Sequence, residues 1–133
     1  MPRVDFDQQL DVLQQEVEVL AGIVEKSINR AVDALKRRDL EASRQVVQED
    51  DYIDQKRFEI EERCVDLIAT QQPMARNLRV IIALLHIVVE LERMGDYAEG
   101  IAKVSLAMGE APPLNLYFPD QTDSPEHRAL GIP

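Results

Sequence analysis

Apolar residues recur every three or four positions along most of this 133-residue chain, which is the spacing of helices that bury one face. The first run begins at Phe6 and ends at the cationic segment Lys36-Arg37-Arg38, which suits a helix C-terminus. Asp39 follows as a suitable N-cap for a second helix, with Glu41 in its first turn. The pattern therefore predicts two long helices joined by a tight connection.

A third helix is predicted after a single break in the pattern. The second run ends near Thr70, shortly before Pro73. Because proline breaks a helix interior but is tolerated in the first turn, Pro73 is expected in the first turn of the third helix. That helix is expected to reach Met108, with Gly109 as its terminator.

The third helix carries two neighbouring rows of apolar residues. We expect the first row to be the seam that packs against the other helices, with the second row beside it. The first row is Leu78, Ile82, Leu85 and Val89, and the second is Ile81, Leu84, Val88 and Leu91. Continued past Val89, the first row reaches Glu92, Asp96 and Glu99. The seam is therefore expected to become acidic without leaving its face.

Three helices of roughly 30–35 residues with short connections predict an all-α fold. Neighbouring helices must then run antiparallel, and the simplest arrangement is an up-down-up three-helix bundle over residues 3–111. Five of the seven prolines lie from Pro112 onward, so residues 112–133 are expected to form an irregular tail.

The composition excludes several classes of function. A net charge of −10 argues against binding to nucleic acid or to an anionic membrane. The longest apolar run, Val80 to Val89, is about half the ~20 residues that span a bilayer. The N-terminus lacks a signal-peptide pattern, and Cys64 is the only cysteine, so it has no partner for an internal disulfide. A cytoplasmic location is expected.

Two pairs of carboxylates are the candidate chemistry of the chain. Asp54 and Glu92 are each 19 residues from Pro73, and Asp50 and Asp96 are each 23 residues from it. Within each pair the spacing of four residues places both acids on one helix face. If the chain reverses near Pro73, the four carboxylates meet at one height of the bundle.

Two interpretations of these acids remain open from spacing alone. Facing carboxylates repel one another unless a cation lies between them, and oxygen ligands suit magnesium, calcium, manganese or iron. The alternative is a solvated acidic groove, in which Arg93 neutralises the adjacent Glu92. The chain has no Glu-x-x-His pair, which counts against a ferritin-like oxidase site.

Several segments resemble the PhoU family of phosphate-uptake regulators. One is Gln71-Gln72-Pro73-Met74-Ala75-Arg76-Asn77-Leu78-Arg79, and another is Glu90-Leu91-Glu92-Arg93-Met94-Gly95-Asp96-Tyr97-Ala98. The spans from Asp50 to Asp54 and from Glu92 to Asp96 resemble the two acidic motifs of the family. The resemblance covers roughly residues 5 to 110.

The resemblance implies a three-helix repeat whose acidic motifs bind metal ions. The implied ligands are Asp50, Asp54, Glu92 and Asp96, with Glu99 as an addition, and the metal is a divalent or trivalent ion such as Mg, Mn, Fe or Zn. It also implies a cytosolic, non-catalytic regulator that restrains phosphate uptake. The implied partners are the ATPase subunit of the phosphate ABC transporter, a sensor histidine kinase and further copies of the chain.

The chain also departs from the family pattern. Asn77 stands where aspartate is usual, and Gly100 stands where asparagine is usual. The chain has one repeat where the family has two, so residues 112–133 are interpreted as a tail or as a linker toward a missing second repeat. Two rival functions remain open: a carboxylate-bridged dimetal enzyme, and a helical interaction module without metal.

Overall fold

The computed structural model describes residues 3–109, which form three long helices. They are α1 (Arg3–Arg37), α2 (Leu40–Gln71) and α3 (Ala75–Met108), and each packs against the other two. The predicted all-α three-helix bundle is confirmed. The predicted tail at residues 112–133 lies outside the described part of the chain.

The ion pairs between α1 and α2 display the antiparallel order of the bundle. Glu16 of α1 pairs with Arg63 of α2, and Arg30 of α1 pairs with Glu49 of α2. Residue numbers therefore rise along one helix as they fall along the other. Within residues 3–109, no helix has an apolar stretch long enough and sufficiently free of charge to cross a bilayer.

The first connection and the end of α3 agree with the predicted capping residues. The side chain of Asp39 accepts a hydrogen bond from the Ala42 backbone N–H, as expected of an N-cap. At the far end Gly109 has φ of 57° and its N–H donates to the carbonyl oxygens of Leu106 and Ser105. This left-handed φ favours glycine because it has no Cβ atom.

The second connection differs from the prediction for Pro73. Gln72 adopts a left-handed conformation with φ of 43° and donates its N–H to the Ile68 carbonyl oxygen. Met74 is the N-cap of α3, so Pro73 precedes the helix and does not lie in its first turn. The reason is that the chain needs one extended residue, Met74 with ψ of 163°, to turn from α2 into α3.

The bundle interior consists of two clusters that differ in side-chain size. The larger cluster is built mainly of leucine, isoleucine and valine, whereas the smaller contains Ala31, Val46, Ala98 and Ala102. In α2, Asp50 lies between Val46 of the smaller cluster and Ile53 of the larger. The candidate acids therefore lie at the junction of the two clusters.

The predicted packing seam of α3 is wrong at two of its four positions. Ile82 and Val89 of the expected seam are 41% and 43% exposed. The buried row is the second one, and it continues through Gly95, Ala98, Ala102 and Ser105. In this part of α3 the helix has apolar side chains on every side, so their spacing does not indicate which face is buried. The α3 acids Glu92, Asp96 and Glu99 therefore lie beside the buried row and do not continue it.

Candidate metal centre

Three carboxylates from two helices converge beside the core. Asp50 and Asp54 of α2 and Asp96 of α3 each offer one oxygen atom, and these atoms all lie within 4.8 Å of one another. Asp50 is buried, Asp54 is partly buried and Asp96 is exposed. The cluster thus opens to solvent on the Asp96 side, and Asp50 is its most deeply buried carboxylate. No other such grouping of three or more potential ligands occurs within residues 3–109.

Gly95 permits the close approach of α2 and α3 at this point. A Cβ atom on Gly95 would lie 3.3 Å from Ile53 Cγ2 and 3.6 Å from Asp50 Oδ1. Because glycine has no side chain to fill that space, the Asp50 carboxylate of α2 lies directly against α3 at Gly95, the residue before Asp96. The local sequence Gly95-Asp96 therefore joins the residue that α2 contacts to one of the three clustered carboxylates.

Burial and mutual repulsion raise the pKa of the two α2 acids. Burial, a hydrogen bond with Glu99 and the neighbouring negative charges raise the pKa of Asp50 from 3.8 to about 7. Burial and the charge of Asp96 also raise the pKa of Asp54. Asp50 Oδ1 and Asp54 Oδ1 are both buried and have no hydrogen-bond partner in the described structure.

These buried oxygen atoms fit a metal ion. A buried acceptor without a partner destabilises the fold, and so do like charges within 5 Å of one another. A cation between them would remove both costs. The grouping contains only carboxylate oxygens, which match hard cations such as Mg²⁺ and Mn²⁺ and also accept Fe or Zn.

The other two predicted ligands border the cluster but have cationic partners of their own. Glu92 forms an ion pair with Arg57, whose guanidinium also lies 3.2 Å from Glu61. Burial raises the pKa of Glu92, and the charge of Arg57 opposes that rise. Glu99 accepts a hydrogen bond of 3.0 Å from Lys103, which lowers its pKa. Glu92 and Glu99 are therefore partly neutralised from within the protein.

Two residues that shape this cluster were not predicted from the sequence. Arg57 neutralises Glu92, the role that had been assigned to Arg93, whereas Arg93 pairs with Glu90 at 3.4 Å. The available signal was the position of Arg57 three residues after Asp54, one turn along the same helix. The sequence shows Gly95 only as part of the motif around Asp96. Its structural role could not be predicted, because it depends on how closely α2 approaches α3.

The two departures from the family pattern do not disturb the cluster. Gly100 is exposed, and a Cβ atom there would meet nothing within 4 Å. Asn77 lies 19 residues before Asp96 in α3, a distance of about 28 Å along the helix. Neither position supplies an oxygen atom to the three-carboxylate cluster.

Comparison with known sequences identifies relatives of this chain. The profile of the PhoU domain matches residues 17–105. A phosphate-specific transport system accessory protein PhoU homolog from Aquifex aeolicus is 39% identical over 109 residues, which are 82% of this chain and 49% of that protein. The homolog from Pseudomonas aeruginosa is 37% identical over 110 residues, which are 80% of this chain and 46% of that protein.

Solved structures agree with the sequence comparison. The phosphate transport system regulatory protein PhoU from Streptococcus pneumoniae superposes with a TM-score of 0.76 at 33% identity, covering 83% of this chain and 52% of that one. PhoU from Pseudomonas aeruginosa also superposes with a TM-score of 0.76, at 37% identity, covering 81% of this chain and 53% of that one. The chain spans about half the length of these relatives. With its matched profile, its bundle and its relatives in agreement, the chain belongs to the PhoU domain family.

Proposed function

We propose that this chain is a regulator of phosphate transport whose bundle holds a metal ion between α2 and α3. The relatives described above are accessory and regulatory proteins of phosphate transport, which supports the transport role. The metal is inferred from the cluster of Asp50, Asp54 and Asp96, in which two buried oxygen atoms have no hydrogen-bond partner in the described residues.

The proposed ligands are Asp50 and Asp54 from α2 and Asp96 from α3. The ion, one of Mg, Mn, Fe or Zn, would supply positive charge that neutralises these acids and fixes the spacing of the two helices. Glu92 and Glu99 border the centre. They would join the ligand set, or hold a second ion, only by giving up their contacts with Arg57 and Lys103.

The proposed regulation requires no catalytic turnover. The chain would act in the cytoplasm, contact the ATPase subunit of the phosphate ABC transporter and a sensor histidine kinase, and lower phosphate import when phosphate is plentiful. Copies of the chain would associate with one another in this role. The metal would have a structural role, because it holds the acidic faces of α2 and α3 in one arrangement for binding.

The metal is tested by elemental analysis of protein purified without chelators, together with Mn²⁺ titration by calorimetry. Replacing Asp50, Asp54 or Asp96 by asparagine keeps the shape and removes the charge. Each replacement is expected to weaken binding by at least about tenfold. The matched control is Asp66→Asn, an exposed position elsewhere on α2. Equal metal content in the unsubstituted protein and in all four variants would refute the centre.

The transport role is tested in the host cell. Deleting the gene is expected to raise phosphate uptake and starvation-gene expression in phosphate-rich medium, and the intact gene is expected to restore both. Unchanged uptake together with unchanged expression would refute the regulatory role. That result would leave the metal centre to be judged by the binding measurements alone.

A further inference from the structure

Arg57 lies within a second group of carboxylates, one helical turn along α2 from the three-carboxylate cluster. Its Nη1 atom donates to both carboxylate oxygens of Glu61, each at 3.2 Å, and its Nε atom pairs with Glu92 of α3. Its positive charge also attracts Asp54, a member of the cluster. Three acids from two helices therefore face one guanidinium group.

The guanidinium of Arg57 is held more deeply than the cations of other contacts between helices. Its side chain is 27% exposed, whereas Arg30 and Arg63, which also pair with an acid on another helix, are 39% and 52% exposed. Burial by itself lowers the pKa of Arg57, but the hydrogen bond to Glu61 and the charges of the neighbouring acids outweigh it and raise that pKa. Arg57 is therefore a permanent positive charge at this position.

Glu92 connects the two groups of carboxylates. Burial raises the pKa of Glu92, and the charge of Arg57 lowers it. Three acids act on this pKa in the direction opposite to Arg57, and they come from both groups: Asp54, Asp96 and Glu61. One continuous set of acids thus lies along the contact between α2 and α3, with the three-carboxylate cluster at one end and Arg57 at the other.

We propose that Arg57 occupies the position that a second metal ion would take, so that the bundle binds one ion and not two. The inference rests on the proposed metal centre and adds its stoichiometry. A divalent ion among three ionised aspartates leaves one negative charge, and Arg57 between Glu61 and Glu92 also leaves one. A second divalent ion would have to enter beside the guanidinium, whose like charge repels it.

The stoichiometry is tested by calorimetric titration with Mn²⁺ and by elemental analysis of the loaded protein. The unsubstituted chain is expected to bind one ion, and so is Arg57→Lys, which keeps the positive charge. Arg57→Glu replaces the cation by a carboxylate, a ligand that suits Mn²⁺, and is expected to bind two. Electron paramagnetic resonance gives a second readout, because two neighbouring Mn²⁺ ions couple their spins and change the spectrum.

Arg63→Glu is the matched control for this experiment. It makes the same change of charge on the same helix, six positions after Arg57, where the native arginine pairs with Glu16 of α1. It is expected to bind one ion, like the unsubstituted chain. Circular dichroism verifies that all variants keep their helices.

A measurement without metal tests the position of Arg57 among the acids. In EDTA, Arg57→Gln is expected to lower the urea midpoint, because Glu61 and Glu92 then face each other without a cation. Glu92→Gln alone is also expected to lower it, since Arg57 loses a partner. Adding Glu92→Gln to Arg57→Gln is expected to recover part of the loss, because the repulsion between the two glutamates is removed.

Several results would overturn the role of Arg57 while leaving the metal centre in place. They are one ion in both the unsubstituted protein and Arg57→Glu, two ions in the unsubstituted protein, and two ions in Arg63→Glu. An unsubstituted protein without any ion would refute the metal centre instead. The EDTA measurements would then decide the role of Arg57, and no recovery in the double variant would overturn it.

Discussion

Gly95 of α3 faces Asp50 of α2 so closely that a Cβ atom on the glycine would lie 3.6 Å from Asp50 Oδ1. The same atom would lie 3.3 Å from Ile53 Cγ2, tighter than ordinary van der Waals contact. The missing side chain thus sets the distance between the two helices that carry the acids. The helix packing and the three-carboxylate cluster depend on the same contact.

Gly95→Val is expected to lower the free energy of unfolding by about 1–3 kcal/mol, because the Cβ atom and two methyl groups that valine adds must displace α2. The displacement would also separate Asp50 from Asp96 and weaken metal binding. Gly100→Ala is the matched control five positions along α3, where a Cβ atom meets nothing within 4 Å. It is expected to gain about 0.5–1 kcal/mol from helix propensity. Urea unfolding measures both, and equal effects would contradict the close approach at Gly95.

Asp50 is expected to make the metal-free protein less stable as the pH rises from about 4 to about 7. Its native pKa of about 7 exceeds its ordinary value of 3.8, so in this window the native protein holds a proton that the unfolded chain has released. The free energy of unfolding therefore falls with rising pH, and the full cost is present above pH 7. Urea midpoints in EDTA across this range measure the slope.

The Asp50 contribution is isolated by substitution. Asp50→Asn is expected to flatten the pH dependence between about 4 and about 7, since the amide does not titrate. Asp66→Asn removes an exposed carboxyl from the same helix and is expected to keep the slope. Saturating metal is expected to favour the native state more as the pH rises, because ligands must be ionised to bind. A slope unchanged in Asp50→Asn would contradict the raised pKa.

Arg57→Gln is expected to tighten metal binding by about three- to tenfold and to destabilise the metal-free protein. The substitution removes the cation that pairs with Glu92 and attracts Asp54. The cluster then becomes more negative, and Glu92 becomes available as a ligand. Calorimetric titration with Mn²⁺ measures the affinity. Arg63→Gln, which removes an α2 arginine paired with Glu16 of α1, is the control and is expected to leave the affinity unchanged.

The Cys64 thiol is expected to resist modification until the protein unfolds. It is fully buried, and burial raises its pKa to about 11, so little reactive thiolate is present near neutral pH. A chromogenic disulfide reagent is expected to react at least about a hundredfold faster in denaturant. Val65→Cys in a Cys64→Ala background places a thiol at a neighbouring position that is 58% exposed. It is expected to react at once, and equal rates for both proteins would contradict the burial.

Local residues were sufficient to predict the helices and most of their ends. Asp39 caps α2 through its own side chain, and Gly109 ends α3 through its own backbone conformation, so each signal acts within a few residues. The spacing of four between Asp50 and Asp54 likewise fixes a shared face on one helix. These features follow from helix geometry and do not depend on which neighbour the helix meets.

The tertiary structure decided which face of α3 is buried and which acids meet. In residues 80–89 apolar side chains lie on every side, so the periodicity carries no information about the face that packs, and the expected seam of Ile82 and Val89 is exposed. Glu92 shares the spacing of the motif with Asp96, but Arg57 of α2 reaches Glu92. Contacts between helices depend on their rotation and register, which no single helix encodes, and these set the three-carboxylate cluster.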